Sequence, residues 1–318
     1  MNELPVWTRD IARQINASFA GQRLPHALML VGRVGDGLSL LGDYLRRGLL
    51  CKQPSIEPCG ECKSCLLDMA GAHPDSRVLE PEGKSLTIKV DQIRGIADFM
   101  HETPQQGGNK VIRLTHSEKM NTAAANAVLK MLEEPTPNTY LILESTSLSR
   151  MLPTVRSRCR LYKLEQPGSS DARQWLTDNG IERPEQRLAM ADGAPLAAAL
   201  VTDEAIEQWD RQVSCFLQER NFTALASFIQ QQDPETLLNQ AMLWVDTAIR
   251  RLNQQSAPVP ERDEDLVQAL QGLPAVSLFR FRDYIVQLKQ GLQQQANLNQ
   301  QMWSEQLSAR WLEMTGHA

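Results

Sequence analysis

The sequence predicts an α/β first half followed by an entirely helical second half. In the first half, short apolar runs typical of strands alternate with stretches of helical period, a pattern that indicates βαβ units and a parallel sheet. After Pro167 the strand pattern stops. The remaining sequence is predicted to form helices joined by short polar or proline-containing breaks.

Five runs are predicted to be strands, and three longer stretches between them to be helices. The predicted strands are Ala27 to Val31, Arg77 to Leu79, Val111 to Leu114, Tyr140 to Leu143 and Arg160 to Leu164. The predicted helices are Leu38 to Cys51, Asp91 to His101 and Thr122 to Glu134. The third helix is well marked, because Thr122 supplies a capping hydroxyl and Pro135 prevents its continuation.

The helical half divides once more. Its first part ends near Asp203, after a short helix in which Pro195 suits the first turn. An apolar stripe at helical spacing marks the C-terminal part, at Leu288, Leu292, Ala296, Trp303, Leu307 and Trp311. The glutamines from 293 to 301 are therefore interpreted as a helix surface, with a disordered glutamine tract as the alternative. The predicted domains are 1–166, 167–204 and 205–318.

The composition is typical of a soluble globular protein. Of 318 residues, enough for two or three units with sizeable cores, 42% are hydrophobic and 22% are charged. The apolar runs are too short for a membrane span and the first residues lack a secretory signal, so a cytoplasmic location is expected. The formal net charge of −5 argues against extensive nucleic-acid wrapping and predicts that any DNA contact is local.

An incomplete phosphate-binding loop follows the first predicted strand. Gly32, Gly35 and Gly37 have the spacing that lets backbone N–H groups wrap phosphates. Ser39 stands where such loops place the hydroxyl that holds magnesium, but Leu38 occupies the position of the lysine that reaches the outer phosphates. The loop is therefore predicted not to bind ATP productively.

The second half of a nucleotide site also differs from a working one. ATP-hydrolysing proteins usually place carboxylates at the end of an apolar strand, where they hold magnesium and orient the attacking water. Here the strand Val111 to Leu114 runs into Thr115 and His116. His116 is interpreted as a polar strand-end residue rather than a base. The loss of both the cation for the phosphates and the ligand for magnesium predicts that this site does not hydrolyse ATP.

Four cysteines are spaced like metal ligands. Cys59, Cys62 and Cys65 are each separated by two residues, and Cys51 lies upstream at the end of a predicted helix. In a reducing compartment this cluster predicts a closed, structural zinc site rather than disulfides. The alternatives are reduced cysteines in a turn, and an iron–sulfur cluster, whose familiar run places its fourth cysteine downstream.

A compact basic segment precedes the last predicted strand. Arg156, Arg158 and Arg160 fall within five positions. On composition alone, the simplest interpretation of such a segment is a solvated charged turn.

Together, and in this order, these motifs resemble those of bacterial clamp-loader subunits of the AAA+ family. The resemblance rests on the loop at 32–37, the cysteines from 51 to 65, the stretch Asn126 to Pro135 and the triplet Ser157-Arg158-Cys159. The Leu-Lys-x-Leu-Glu-Glu-Pro sequence within the third motif and the Ser-Arg-Cys triplet are quite specific. The damaged loop makes the chain similar to a non-hydrolysing member of such a complex.

The resemblance implies an architecture and a set of partners. Residues 1–166 would form a RecA-like AAA+ domain with a zinc module, 167–204 a helical lid, and 205–318 a helical collar through which five subunits form a ring. The implied partners are the gamma or tau and delta subunits of the DNA polymerase III clamp loader, with the sliding clamp and primer–template DNA reached through the complex and no membrane. The chain would act in DNA replication at the replisome, in a holoenzyme with DNA-directed DNA polymerase (nucleotidyltransferase) activity.

For single residues, the resemblance implies a role in a neighbour's reaction. Arg158, supported by Ser157 and Cys159, is expected to act in trans as an arginine finger on ATP bound to the adjacent subunit. The chain itself is expected to bind no ATP, to have no intrinsic enzymatic activity, and to carry zinc as a structural cofactor.

Two further positions correspond to nucleotide contacts in the ATP-binding relatives. Leu196 takes the place of a lid arginine that touches the nucleotide. Ser145 or Thr146 takes the place of the residue that senses the γ-phosphate, and without nucleotide it is a strand-end hydroxyl.

Two other functions remain open. One is a nucleotide-binding switch or ATPase with an altered site, against which Leu38 and Thr115 argue. The other is a zinc-dependent DNA-binding module, which zinc removal followed by a measurement of DNA affinity would distinguish from a structural zinc site.

Overall fold

The computed structural model describes residues 4–53, 55, 57–82, 86–255, 259, 263–293 and 300–316. Positions 294–299, which make up most of the predicted glutamine-rich helix surface, lie outside these residues. None of the helices in the described part of the chain combines the length and apolar character that crossing a bilayer requires.

The described secondary structure is mainly helical. The strands are β1 Ala27–Val31, β2 Ser76–Leu79, β3 Lys110–Leu114, β4 Thr139–Ser145 and β5 Arg160–Lys163. The helices are α1 Val6–Ala20, α2 Leu38–Leu50, α3 Lys63–Met69, α4 Val90–His101, α5 Thr122–Glu133, α6 Pro153–Arg156, α7 Ser169–Asp178, α8 Pro184–Met190, α9 Pro195–Ala198, α10 Asp203–Gln218, α11 Phe222–Gln230, α12 Pro234–Leu252, α13 Glu264–Gln271, α14 Ala275–Gln293 and α15 Gln300–Thr315. Short 3-10 turns lie at Ser117–Lys119 and Leu148–Arg150.

The chain divides into two units. The first runs to Glu182 and includes Gly193–Ala199, so it contains the whole sheet, α1 to α7 and α9. The second contains Arg183–Asp192 and the described residues from Leu200 onward, and its elements are all helices. The finer division into three domains at 166 and 204 stays a prediction.

The five strands form one parallel sheet in the order β2-β3-β4-β1-β5. The α/β prediction is confirmed: β1 has the predicted bounds, and the other strands differ from the predicted runs by one or two residues at an end. Parallel neighbours need crossover connections, which the intervening helices supply.

Both faces of the sheet are buried, which explains why its strands are nearly continuous apolar runs. Because side chains alternate along a strand, Met29 packs with the apolar residues of α4 and α5, and Leu28 and Leu30 pack with those of α1 and α2 on the opposite face. The first unit is therefore a three-layer α/β structure.

The core of the second unit combines many aliphatic side chains with a group of aromatic residues. Phe216 on α10 contacts Trp244 and Trp311 edge to face, with ring centroids 5.5 Å and 4.9 Å away. Trp303, Leu307 and Trp311 of the predicted stripe are buried on α15. The predicted helical second half is thereby confirmed for the described residues.

The sheet also determines where a ligand site would lie. All five strands point in the same direction, so the segments that follow β1, β3 and β4 lie at one edge of the sheet. Open α/β sheets bind ligands at this carboxyl edge. The predicted phosphate loop, Thr115, His116, Ser145 and Thr146 are all located there.

Candidate functional site

The glycine loop connects β1 to α2 at the carboxyl edge. Gly35 and Gly37 have φ values of +85° and +99°, a region that favours glycine. A Cβ atom on Gly35 would lie 2.7 Å from the Cβ of Ala197, and the Leu196 N–H donates to the Gly35 carbonyl over 2.9 Å. The glycine at 35 is therefore required by close packing against α9, where Leu196 lies.

The charges in this loop do not suit a phosphate. Leu38 is 7% exposed and packs in the apolar cluster beneath the sheet with Leu41 and Leu45. The Asp36 carboxylate is buried, and Arg33 Nε donates to its Oδ2 over 3.1 Å. The loop thus has an apolar side chain where a lysine would stand, and its own arginine is engaged by the buried Asp36 carboxylate rather than left for a phosphate.

A guanidinium occupies the magnesium-ligating side of Ser39. Arg113 on β3 donates through Nη2 to the Ser39 Oγ over 2.5 Å and to the Ser39 carbonyl over 2.9 Å. A magnesium ligand must offer a free lone pair to the ion, and a second cation beside the same hydroxyl would be repelled by the guanidinium. Ser39 is therefore engaged by a side chain of its own chain.

Arg113 is fixed by a buried ion pair. Its Nε donates to Glu144 Oε1 over 2.5 Å and its Nη2 donates to Glu144 Oε2 over 3.2 Å. Both side chains are buried, and Arg113 Nη1 also lies 3.7 Å from an Asp43 carboxylate oxygen. Sequence reasoning missed this pair, although a charged residue within an otherwise apolar run, Arg113 or Glu144, was a visible signal in each strand.

A carboxylate does reach the carboxyl edge beyond β3, and sequence reasoning missed it as well. Glu118 lies in the 3-10 turn after His116 and its side chain is 3% exposed. Its two oxygens accept hydrogen bonds from the Thr146 hydroxyl over 2.8 Å and the Thr146 N–H over 3.2 Å. Burial raises the pKa of Glu118, but these and other hydrogen bonds outweigh it and lower the pKa below its ordinary value.

The other predicted edge residues have partners too. His116 Nδ1 lies 3.4 Å from Glu118 Oε1, so the histidine has a carboxylate partner that the sequence did not predict. The Thr115 hydroxyl donates to the Leu79 carbonyl, and the Ser145 hydroxyl donates to the Ser147 carbonyl. Each of these predicted edge residues therefore has a polar partner within the chain.

The four predicted cysteine ligands come together in the first unit. The Sγ atoms of Cys51, Cys59, Cys62 and Cys65 all lie within 4.8 Å of one another, with 4.0 Å between Cys51 and Cys62 and 3.9 Å between Cys59 and Cys65. Tetrahedral zinc with Zn–S bonds of about 2.3 Å needs sulfurs about 3.8 Å apart. The donor set and its spacing therefore fit a metal ion held by four thiolates.

Backbone N–H groups support thiolate character in this cluster. The N–H groups of Cys59, Cys62 and Cys65 point at the sulfurs of Cys51, Cys59 and Cys62, each over 3.4 Å. Such hydrogen bonds stabilise negative charge on sulfur, as metal binding requires.

Two buried contacts attach the cysteine module to the sheet domain. The Asp75 N–H donates to His73 Nδ1, which leaves Nε2 to donate to the Ser64 hydroxyl over 2.7 Å, and that hydroxyl donates to the Leu50 carbonyl. Arg46 on α2 forms an ion pair with Asp68 on α3. The module is therefore docked on α2 by polar groups as well as by its cysteines.

The Ser-Arg-Cys triplet lies between α6 and β5. Arg158 is exposed, whereas Cys159 packs against the core, and burial raises the pKa of its thiol to about 12. The Ser157 hydroxyl donates to the Thr154 carbonyl over 3.0 Å. Among the described residues, the polar partners of Arg158 come from α5, α6 and Ser157.

The family model and the sequence relatives both name subunits of DNA polymerase III. A family model described as DNA polymerase III, delta subunit, matches residues 7–168. The DNA polymerase III subunit delta' of Pseudomonas aeruginosa is 42% identical over 193 residues, 59% of this chain and 59% of the relative. That of Escherichia coli K12 is 38% identical over 196 residues, 60% of this chain and 59% of the relative. The matched part therefore spans less than two thirds of these relatives' own length.

Solved structures give more distant likenesses. A DNA polymerase III gamma subunit-related protein from Thermotoga maritima aligns with 97% of this chain and 99% of its own at 17% identity, with a TM-score of 0.43. The RuvB Holliday junction branch migration motor of the same organism covers 85% of this chain and 83% of its own, with 12% identity and a TM-score of 0.42.

Proposed function

Because this chain belongs to the DNA polymerase III delta subunit family, we propose that it is a clamp-loader subunit that does not hydrolyse ATP and that lends Arg158 to the ATP of a neighbouring subunit. The observation that carries the first part is the contact between Arg113 and Ser39, with Leu38 buried beside it. The loop keeps its glycines, but an apolar side chain stands at the lysine position, Arg33 pairs with Asp36, and the Ser39 hydroxyl is already bonded to Arg113.

The second part of the proposal concerns Arg158. Its guanidinium is exposed at the end of a short helix, next to a core-packed cysteine that anchors the segment. A guanidinium directed at the γ-phosphate stabilises the charge of the transition state and forms paired hydrogen bonds with phosphate oxygens. An exposed arginine beside a core-packed cysteine is suited to reach another subunit.

The cysteine module completes the proposal as a structural zinc site. Four thiolates complete the tetrahedral coordination sphere of a zinc ion, so no coordination position stays open for a substrate. The residues that would hold zinc are Cys51, Cys59, Cys62 and Cys65. Zinc would supply folding energy to a segment that has few apolar residues of its own.

We place the chain in a five-subunit ring with gamma or tau and delta subunits, acting in the cytoplasm at the replisome. The ring would reach the sliding clamp and primer–template DNA as a complex, and polymerase chemistry would belong to other subunits of the holoenzyme. The names of the relatives and the family match support this placement.

Two measurements test the proposal. The purified chain, titrated with a fluorescent ATP analogue and magnesium, is expected to show no tight, magnesium-dependent binding, and such binding would favour a nucleotide switch instead. In the reconstituted complex, Arg158→Ala is expected to lower DNA-stimulated ATP hydrolysis by about tenfold or more, whereas the exposed neighbour Arg156→Ala serves as the matched control. Unchanged turnover with Arg158→Ala, in a complex of normal composition, would refute the finger.

A further inference from the structure

Within the described part of the chain, three acceptors hold the Arg158 guanidinium. Its Nη2 lies 2.8 Å from Oε1 of Glu133, the last residue of α5. Its Nη1 donates to the Thr154 carbonyl over 3.0 Å and lies 3.4 Å from the Ser157 hydroxyl. Thr154 and Ser157 lie within four positions of Arg158 in the sequence, whereas Glu133 belongs to α5, further back along the chain.

The Glu133 carboxylate changes what this guanidinium can do. An arginine finger acts through net positive charge at the γ-phosphate, where negative charge builds up in the transition state. A carboxylate hydrogen-bonded to the same guanidinium offsets that charge and would repel the phosphate. The pair seen here is therefore incompatible with full action on a neighbour's ATP.

The pair is also weak enough to be broken. The Arg158 and Glu133 side chains are 38% and 51% exposed, and ion pairs between exposed side chains contribute little to stability because water and salt screen them. A triphosphate carries several negative charges and accepts paired hydrogen bonds from a guanidinium. A correctly placed γ-phosphate can therefore displace Glu133.

We propose that Glu133 is a positioning residue that parks Arg158 away from the neighbour's ATP until the ring adopts its hydrolysing arrangement. This inference rests on the proposed trans role of Arg158. The Glu133–Arg158 ion pair restrains hydrolysis before the complex binds DNA. The ion pair breaks when the γ-phosphate of the neighbour's ATP comes within hydrogen-bonding distance of Arg158. The proposed role requires a carboxylate at the end of α5, and Glu133 supplies it as the first glutamate of the Leu-Lys-x-Leu-Glu-Glu-Pro sequence.

The test uses the reconstituted complex with Glu133→Gln in this chain, which keeps the side-chain shape but removes its charge. The ATPase rate without DNA is expected to rise about two- to fivefold, and a fivefold change corresponds to about 1 kcal/mol in the barrier. The DNA-stimulated rate is expected to change little, because Glu133 is already displaced in that state. The ratio of the Glu133→Gln rate to the wild-type rate should decrease as the salt concentration is raised from about 50 to about 200 mM, because salt screens the ion pair and weakens its restraint on Arg158 in the wild type.

Matched variants separate the possible failures. Glu134→Gln removes the adjacent exposed carboxylate and is expected to leave the rate without DNA unchanged. Glu133→Gln combined with Arg158→Ala should behave like Arg158→Ala alone. An unchanged or lower rate with Glu133→Gln, while Arg158→Ala still slows hydrolysis, overturns the parking role only. No effect of Arg158→Ala refutes the finger itself.

Discussion

Gly42 on α2 lies so close to Glu144 on β4 that no side chain can be added without moving the carboxylate: a Cβ atom at position 42 would be 1.7 Å from Glu144 Oε1. The same carboxylate pairs with Arg113, which contacts Ser39. The glycine in the helix, the buried ion pair and the blocked hydroxyl are therefore parts of one arrangement.

Gly42→Ala is expected to destabilise the protein, although alanine is the better helix former. Displacing Glu144 breaks a buried ion pair, which costs about 3–5 kcal/mol, and helix propensity returns about 1 kcal/mol, so a net loss of about 2–4 kcal/mol is expected. Urea unfolding measures it. Gly95→Ala on α4, where the space is open, is the control and should stabilise slightly. Equal effects at both positions would contradict the steric argument.

Leu38→Lys is expected to restore the lysine of the loop without creating an ATPase. Arg113 still contacts Ser39, so the magnesium ligand remains engaged. Placing an ammonium group at a buried position should also cost about 1–3 kcal/mol of stability, which Leu38→Met should not. Robust magnesium-dependent hydrolysis by the single variant, measured as phosphate release, would show that the site is less degraded than proposed.

Glu118→Gln is expected to lower stability at neutral pH and to matter less in acid. The folded chain binds a proton at Glu118 less readily than the unfolded chain, whose ordinary pKa is 4.5. The stabilisation that ionised Glu118 gives the folded chain is therefore complete above about pH 4.5. It is lost as the pH falls through the lower pKa that Glu118 has in the folded chain. The expected loss at pH 7 is about 1–3 kcal/mol, from the hydrogen bonds to Thr146. If Glu118→Gln lowered the free energy of unfolding by the same amount at pH 7 and at pH 4, the ionised Glu118 carboxylate would not be the source of the stabilisation.

Removing zinc is expected to unfold the cysteine module before it affects DNA affinity. Purified protein should contain one zinc ion per chain, Cys59→Ser should lose it, and Cys215→Ser in the second unit should keep it. Metal analysis and limited proteolysis between residues 51 and 69 measure this. If zinc removal lowered DNA affinity while residues 51–69 stayed resistant to protease, the result would favour the alternative of a zinc-dependent DNA-binding module.

Much of the fold could be predicted from local sequence. The five strands are short apolar runs between helix-period stretches, and their pattern follows directly from burial on both faces. The cysteine cluster was predictable as well, because close spacing forces the thiols together. These features depend on residues near one another in the chain.

The missed features join residues far apart in sequence. Arg113 and Glu144 meet because β3 pairs with β4 in a register that sets Arg113 opposite Ile142, two residues from Glu144. Glu118 turns back to Thr146, and Glu133 reaches Arg158, through turns whose geometry no periodicity encodes. A charged residue within an apolar strand indicates a partner but does not say which one.

The close fit of Gly35 against Ala194 and Ala197 has a consequence for classifying proteins. Steric packing alone is enough to demand glycine there, so the glycine spacing that marks nucleotide hydrolases does not by itself indicate that a loop binds phosphate. A genome survey that counts such glycines would score this chain as an energy-consuming motor. A survey that also inspects positions 38 and 113 would not.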